Sequence, residues 1–224
     1  MYLHSLARNL KGRDFAVGDI HGHTSRLFSR LHEIGFNPTS DRLFSVGDLV
    51  DRGPKSLEAS ELVDLPWFFA VRGNHDDFAI RHVRHGDVPE SMYRMNGGDW
   101  FLDAPKDVRE AVVRRLETLP FAIQLTTAAG NVGIVHADVP WRSWTGLEDR
   151  LRQESCREFA MWSRLRFTMR NISVVSAIDH VVVGHNRHPE PLVLGNVHHI
   201  DTGGWCDYGE GKFCLLNLDT MTPA

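Results

Sequence analysis

Five times in this chain a short apolar run stops, usually at a glycine, and a residue able to ligate a metal follows at once. The segments are GDIHG (Gly18 to Gly22), GDLVDRG (Gly47 to Gly53), GNH (Gly73 to His75), VHAD (Val135 to Asp138) and GHN (Gly184 to Asn186). Each follows a run that reads as a buried strand, such as Phe15-Ala16-Val17 or Leu43-Phe44-Ser45-Val46. Strands that end this way deliver their polar residues to one crevice, because open α/β sheets bind ligands at the carboxyl ends of their strands. One such segment arises by chance. Five in order constrain the fold to α/β and the site to one edge of it.

The intervening sequence supports alternation of strands and helices. Ser25 to Ile34 reads as a helix with Leu27, Phe28, Leu31 and Ile34 on one face, Thr24 as N-cap and Gly35 as its stop. Pro54 opens a helix carrying Leu57 and Leu62, and Trp67 to Val71 is a strand. Lys106 to Leu119 is amphipathic, with its arginines on a solvated face. Later strands fall at Val132 to Val135, His180 to Val183, Val197 to Ile200 and Phe213 to Leu218. A helix is expected around Leu147 to Phe159, in the least legible stretch. No repeat or linker divides the 224 residues, so one domain over 1–224 is expected.

Composition narrows the function. A net charge of −4 offers no electrostatic footprint for nucleic acid or an anionic membrane. Three cysteines without a CxxC pair argue against a disulfide scaffold and for a reducing compartment. MYLHSLARNLKGRD has no apolar run of signal-peptide length, and no stretch approaches a membrane span, so a cytoplasmic location is expected. Thirteen histidines are many for this length, and the motifs account for several of them.

Asp19, His21, Asp48, Asn74, His136 and His185 offer carboxylate, amide and imidazole donors without thiolate. That mixture suits Mn²⁺, Fe²⁺ or Zn²⁺. Six protein ligands exceed what one catalytic ion with open positions takes, and suit two ions ~3.5–4 Å apart that share a carboxylate.

GDIHG, GDLVDRG, GNH, HAD and GH in this order resemble the phosphoprotein phosphatases of the metallophosphoesterase superfamily. The nearest resemblance is to the lambda-type bacterial and bacteriophage serine/threonine phosphatases. It extends through LHEIGFNPTSDRLFSVGDLVDRG, LPWFFAVRGNH, MNGGDWF, HADVPW and MWSR, and so covers most of the chain from Phe15 to Trp205. It implies a calcineurin-like β-sandwich flanked by helices, two divalent ions with Mn²⁺ foremost, and a phosphoprotein substrate. It makes Asp19, His21 and Asp48 ligands of one ion, with Asp48 bridging to a second completed by Asn74, His136 and His185. Arg52 and Arg164 would hold the phosphate, and His75, oriented by Asp51, would protonate the leaving alkoxide. Arg166, two residues beyond Arg164, is an alternative clamp.

Asp76 after GNH, Asn186 after GH and His23 after DIHG depart from the branch's usual residues. Asp76 resembles the GNHD of symmetrical dinucleoside-tetraphosphate hydrolases, the alternative reading. Those hydrolases typically lack the acid at the position of Asp51, which is present here. A phosphodiesterase or nuclease would usually show GHxH, where this chain has Arg187. A catalytically dead binding module should have lost a ligand, and none is missing. Trp141 and Trp144 are read as groove rim or core with equal weight, and His82 and His85 as surface.

Overall fold

The computed structural model describes residues 1–207 and 211–224. Eleven strands among them form two sheets. The strands are β1 (Leu3–Leu6), β2 (Asp14–Val17), β3 (Arg42–Ser45), β4 (Phe68–Ala70), β5 (Ala122–Thr127), β6 (Gly130–Val135), β7 (His180–Val183), β8 (Leu192–Leu194), β9 (Val197–His199), β10 (Leu215–Asn217) and β11 (Thr222–Pro223). One sheet has the order β1-β5-β6-β7-β9-β8, the other β11-β10-β2-β3-β4. The parallel neighbours β2, β3 and β4, and likewise β6, β7 and β9, bring successive strand ends to the same edge.

The sheets face each other across one apolar layer. Ala16, Phe44 and Val46 from one side meet Ile123, Leu125, Ile134 and Val182 from the other. A second cluster lies on the outer face of the five-stranded sheet. There Phe15, Leu43 and Phe68 pack with Leu27 and Leu31 of α1 (Thr24–Glu33), Ala59 of α2 (Ser56–Glu61), Phe78 and Ala79 of α3 (Asn74–Arg84), and Tyr93 of α4 (Glu90–Met95). Phe101 of α5 (Asp99–Leu102) and Val112, Val113 and Leu116 of α6 (Lys106–Leu116) complete it. The third cluster covers the six-stranded sheet with Leu147 of α7 (Leu147–Arg150) and Ala160 and Met161 of α8 (Glu154–Trp162). A short α9 (Leu165–Thr168) follows. The central strands β2, β3 and β7 are thus covered on both faces, which explains why they read as continuous apolar runs without alternation.

The structure corrects several local expectations. Thr24 opens α1 but does not cap it; its hydroxyl donates to Glu58 Oε1 at 2.6 Å. Phe28 and Leu57 are exposed, because the buried stripe of α1 narrows to Leu27 and Leu31 and α2 begins only at Ser56. The helix expected over Leu147 to Phe159 is broken into α7 and α8 by an extended Gln153. Trp144 is core, donating to Gln124 at 2.6 Å, whereas Trp141 is exposed. His82 is half-buried, packed on Tyr93 and Phe101. No helix among the described residues is long and apolar enough to cross a membrane.

Candidate metal centre

All five motifs converge. Asp19 follows β2, Asp48 follows β3, Asn74 and His75 begin α3 after β4, His136 follows β6 and His185 follows β7. A cavity of about 320 Å³ is lined by Asp19, Asp48, Arg52, Asn74, His75 and His185, with Arg164, Trp162 and Trp205 on its walls.

The turns carrying these residues are conformationally unusual. His21, Asp48, Asp51, Arg52 and His185 all have positive φ, between +44° and +71°. Each such non-glycine residue costs on the order of 1–3 kcal/mol and persists only where its surroundings hold it. Here they do: His21 N–H donates to Asp48 O at 2.8 Å, Arg52 N–H to Gly97 O at 3.1 Å, and His185 N–H to the Asp19 carboxylate at 3.1 Å. Gly73 is required because a Cβ there would lie 2.2 Å from Asp48 Oδ1.

Asp48 is the centre of the arrangement. Its Oδ1 accepts the His75 N–H at 2.8 Å, which fixes the carboxylate against the start of α3. Its Oδ2 lies 3.6 Å from His21 Nε2 and 3.4 Å from His136 Nε2. Two ligands each ~2.1 Å from a tetrahedral ion sit roughly 3.4 Å apart, so one oxygen is spaced to share an ion with either histidine. Ligand atoms of Asp48, His136 and His185 fall within 4.8 Å of one another, as do those of His21, Asp48 and His75. Asp19 enters neither group; both its oxygens are turned toward the His185 amide.

The donor chemistry fits cations. His21 Nδ1 lies 2.8 Å from Val50 O and His136 Nδ1 2.7 Å from Val46 O, which turns both Nε2 atoms toward Asp48. His185 Nε2 is buried with no hydrogen-bond partner among the described residues, an orphan that an ion would satisfy. Burial alone would push His136 down, but the Asp48 carboxylate outweighs it and raises His136 to about 10. Its Nε2 accordingly sits 2.9 Å from Asn74 Oδ1, in position to donate. Burial and the charge of His136 push His185 down to about 3. Burial, then Asp201, raises Asp19 well above the usual carboxylate range. The upward shifts of His136 and Asp19 both express a local demand for positive charge.

Beside these residues, Asp51 Oδ2 accepts from His75 Nδ1 at 2.8 Å, and Asp51 Oδ1 accepts from Trp100 Nε1 at 2.8 Å and Tyr93 OH at 3.3 Å. Burial raises Asp51, and the His75 and Trp100 donors oppose it. Arg52 donates to His75 Nε2 at 2.8 Å and to His21 Nε2 at 3.0 Å. Arg164 also reaches the cavity, held by Asn186 Oδ1 at 3.1 Å. Arg166 does not. It is buried against Asp138 at 2.9 Å and donates to the carbonyls of Asn171 and Ser173.

Two departures from the expected motifs have structural roles. Asp76 accepts the Gly73 N–H at 2.9 Å and the Leu49 N–H at 3.0 Å, tying the start of α3 to the turn after Asp48. Asn186 places Arg164. Sequence reasoning missed Tyr93, Trp100, Asp201 and Trp205. Ile200-Asp201-Thr202-Gly203 follows β9 as VHAD follows β6, an apolar run giving way directly to a ligand-type residue, and is the signal that could have found the last two.

A model of the calcineurin-like phosphoesterases matches residues 15–216. Serine/threonine-protein phosphatase 2 of Escherichia coli (strain K12) is 34% identical over 195 residues, covering 84% of this chain and 86% of its own. The symmetrical bis(5'-nucleosyl)-tetraphosphatase of Aromatoleum aromaticum is 34% identical over 161 residues, covering 66% of this chain and 56% of its own. A solved structure described as a candidate diadenosine tetraphosphatase superposes with a TM-score of 0.72 over 100% of this chain and 96% of that one. At 23% identity, it speaks for the fold alone.

Proposed function

The chain belongs to the calcineurin-like phosphoesterases, hydrolases with a dinuclear metal centre, and we propose that it removes phosphate from phosphoserine and phosphothreonine in proteins. The observation that carries this reading is the His75–Asp51 pair. A serine or threonine alkoxide is a poor leaving group and needs a proton in the transition state, whereas the nucleotide released from a dinucleoside tetraphosphate does not. A buried carboxylate held by Trp100 and Tyr93 and aimed at His75 serves the delivery of that proton.

Asp19, His21, Asp48, Asn74, His136 and His185 would hold two divalent ions, Mn²⁺ foremost, with Asp48 between them. When bound, such ions lower the pKa of a water toward ~7 and neutralise phosphoryl oxygens. The protein's own residues do the rest. Arg52 and Arg164 reach the cavity from separate segments and clamp phosphate oxygens, the planar guanidinium meeting two at once. Asp51 holds His75 by Nδ1, so that Nε2 faces the substrate and delivers the proton to the departing oxygen. Arg166, consumed by Asp138, is left to structure.

The relatives named serine/threonine phosphatase support this reading over more of the chain than the tetraphosphatases do. Asp76 accepts two backbone amides, a scaffolding role that serves either reading. A panel with the metal-reconstituted enzyme tests the choice: phosphoserine peptide, diadenosine tetraphosphate and a phosphodiester. The peptide should have the highest kcat/KM; a tenfold preference for the dinucleotide would replace the reading with the tetraphosphatase.

A further inference from the structure

Arg52 is held in the cavity by three contacts. It donates to His21 Nε2 and to His75 Nε2, and its guanidinium lies over the indole of Trp205, 4.6 Å from the ring centroid. The same indole meets the His21 ring edge-on at 4.8 Å. Both hydrogen bonds end on ring nitrogens that have other work in the proposed reaction: His21 Nε2 is the lone pair a cation would take, and His75 Nε2 faces the leaving group. The aromatic face is the contact that makes no demand on either nitrogen.

That face is fixed from its edge. Asp201, just beyond β9, accepts the Gly203 N–H and the Trp205 Nε1–H with one oxygen, Oδ1, each at 3.1 Å. The turn between them needs glycine: Gly203 has φ +71°. Cys206 N–H closes it onto Gly203 O at 2.8 Å. The chain therefore folds back on itself so that an acid grips the edge of an indole whose face supports an arginine. Trp205 is only half-buried on the cavity wall, so the grip sets the direction of the ring and does not close a core.

We infer that Trp205, locked by Asp201, is a positioning residue that keeps Arg52 aligned for phosphate in the loaded enzyme. The inference rests on Arg52 being a phosphate clamp. It is indifferent to whether the phosphate comes from a protein or a nucleotide.

The test is a double-mutant cycle on metal-reconstituted enzyme, reading the inhibition constant of inorganic phosphate, KM and kcat for p-nitrophenyl phosphate, and bound metal. Trp205→Leu should weaken phosphate and raise KM roughly tenfold, the scale of a desolvated cation–π contact, with kcat changed less and metal retained. Trp205→Phe, which keeps an aromatic face but cannot donate to Asp201, should fall between. In an Arg52→Ala background, Trp205→Leu should cost less than about twofold more. Trp205→Gln, which can donate to Asp201 without an aromatic face, replaces the leucine variant should that fail to fold. Unchanged phosphate inhibition in Trp205→Leu, a full additional loss on top of Arg52→Ala, or loss of metal would each overturn the inference. If Arg52→Ala itself leaves phosphate inhibition unchanged, the clamp reading of Arg52 is what fails, and the inference falls with it.

Discussion

Asp51 Oδ2 and His75 Nδ1 stand 2.8 Å apart, and the same carboxylate takes a second hydrogen bond of 2.8 Å from Trp100. Asp51 therefore fixes both the direction of the imidazole and which nitrogen faces the cavity. In Asp51→Asn the amide cannot accept from Nδ1–H and satisfy Trp100 and Tyr93 together, so the ring loses its orientation. A fall in kcat of roughly 10²-fold on a phosphoserine peptide is expected, within the range of general acid catalysis, with metal content unchanged. Steady-state kinetics beside metal analysis checks this; a variant within threefold of the parent would remove Asp51 from the mechanism.

Arg164 and Arg166 separate cleanly. Arg164→Ala should raise KM at least tenfold and leave the thermal midpoint nearly unmoved, because its side chain is exposed in the cavity. Arg166→Ala strands the buried Asp138 carboxylate and should cost about 3–5 kcal/mol of stability. Denaturant melts and phosphatase assays on both variants decide; the reverse pattern would exchange their roles.

Legibility in the sequence depends on distance along the chain. Residue type and order at a strand end are a local signal, and they are enough to pick out six residues that the structure gathers at the ends of β2, β3, β4, β6 and β7. Support for those positions comes from far away. Trp100 reaches Asp51 across 49 residues, and Asp138 claims Arg166 across 28, so nothing near MWSR distinguishes the two arginines. The strands β1 and β5 are illegible for a related reason. They pair in parallel, Leu3 with Ala122, and the polar residues of LHSL and AIQLTT mask strands whose burial comes from the partner sheet. Positive φ at His21, Asp48 and Arg52 is set by tertiary hydrogen bonds and leaves no trace in residue type.

Loss of Asp48 should empty the centre more completely than loss of Asp19. Asp48 Oδ2 faces both His21 and His136, whereas Asp19 faces the His185 amide. Asp48→Asn should retain less bound metal than Asp19→Asn after reconstitution and desalting, read by elemental analysis. Two ions retained in both variants would take away the bridging role.

Metal loading should release a proton from His136. In the metal-free protein Asp48 raises that imidazole to about 10, so it is charged at pH 8, and a ligand imidazole must be neutral. Below pH 10, rising pH therefore favours loading, by up to about tenfold per unit for one proton. Calorimetry of Mn²⁺ binding at about pH 8 in buffers of different ionisation enthalpy should show about one proton released per chain. Binding without release would mean that His136 is not displaced by a metal.

The most direct measurement compares leaving groups in His75→Asn. A p-nitrophenolate departs with little help, while a serine alkoxide needs a proton, which the proposed mechanism assigns to Nε2 of His75. With metal content first shown to be intact, kcat on a phosphoserine peptide should fall ~10²–10⁴-fold, and the fall on p-nitrophenyl phosphate should be smaller by at least about tenfold. Equal losses on the two substrates would contradict the account, because His75 would then be serving the phosphate or the metals and not the leaving group.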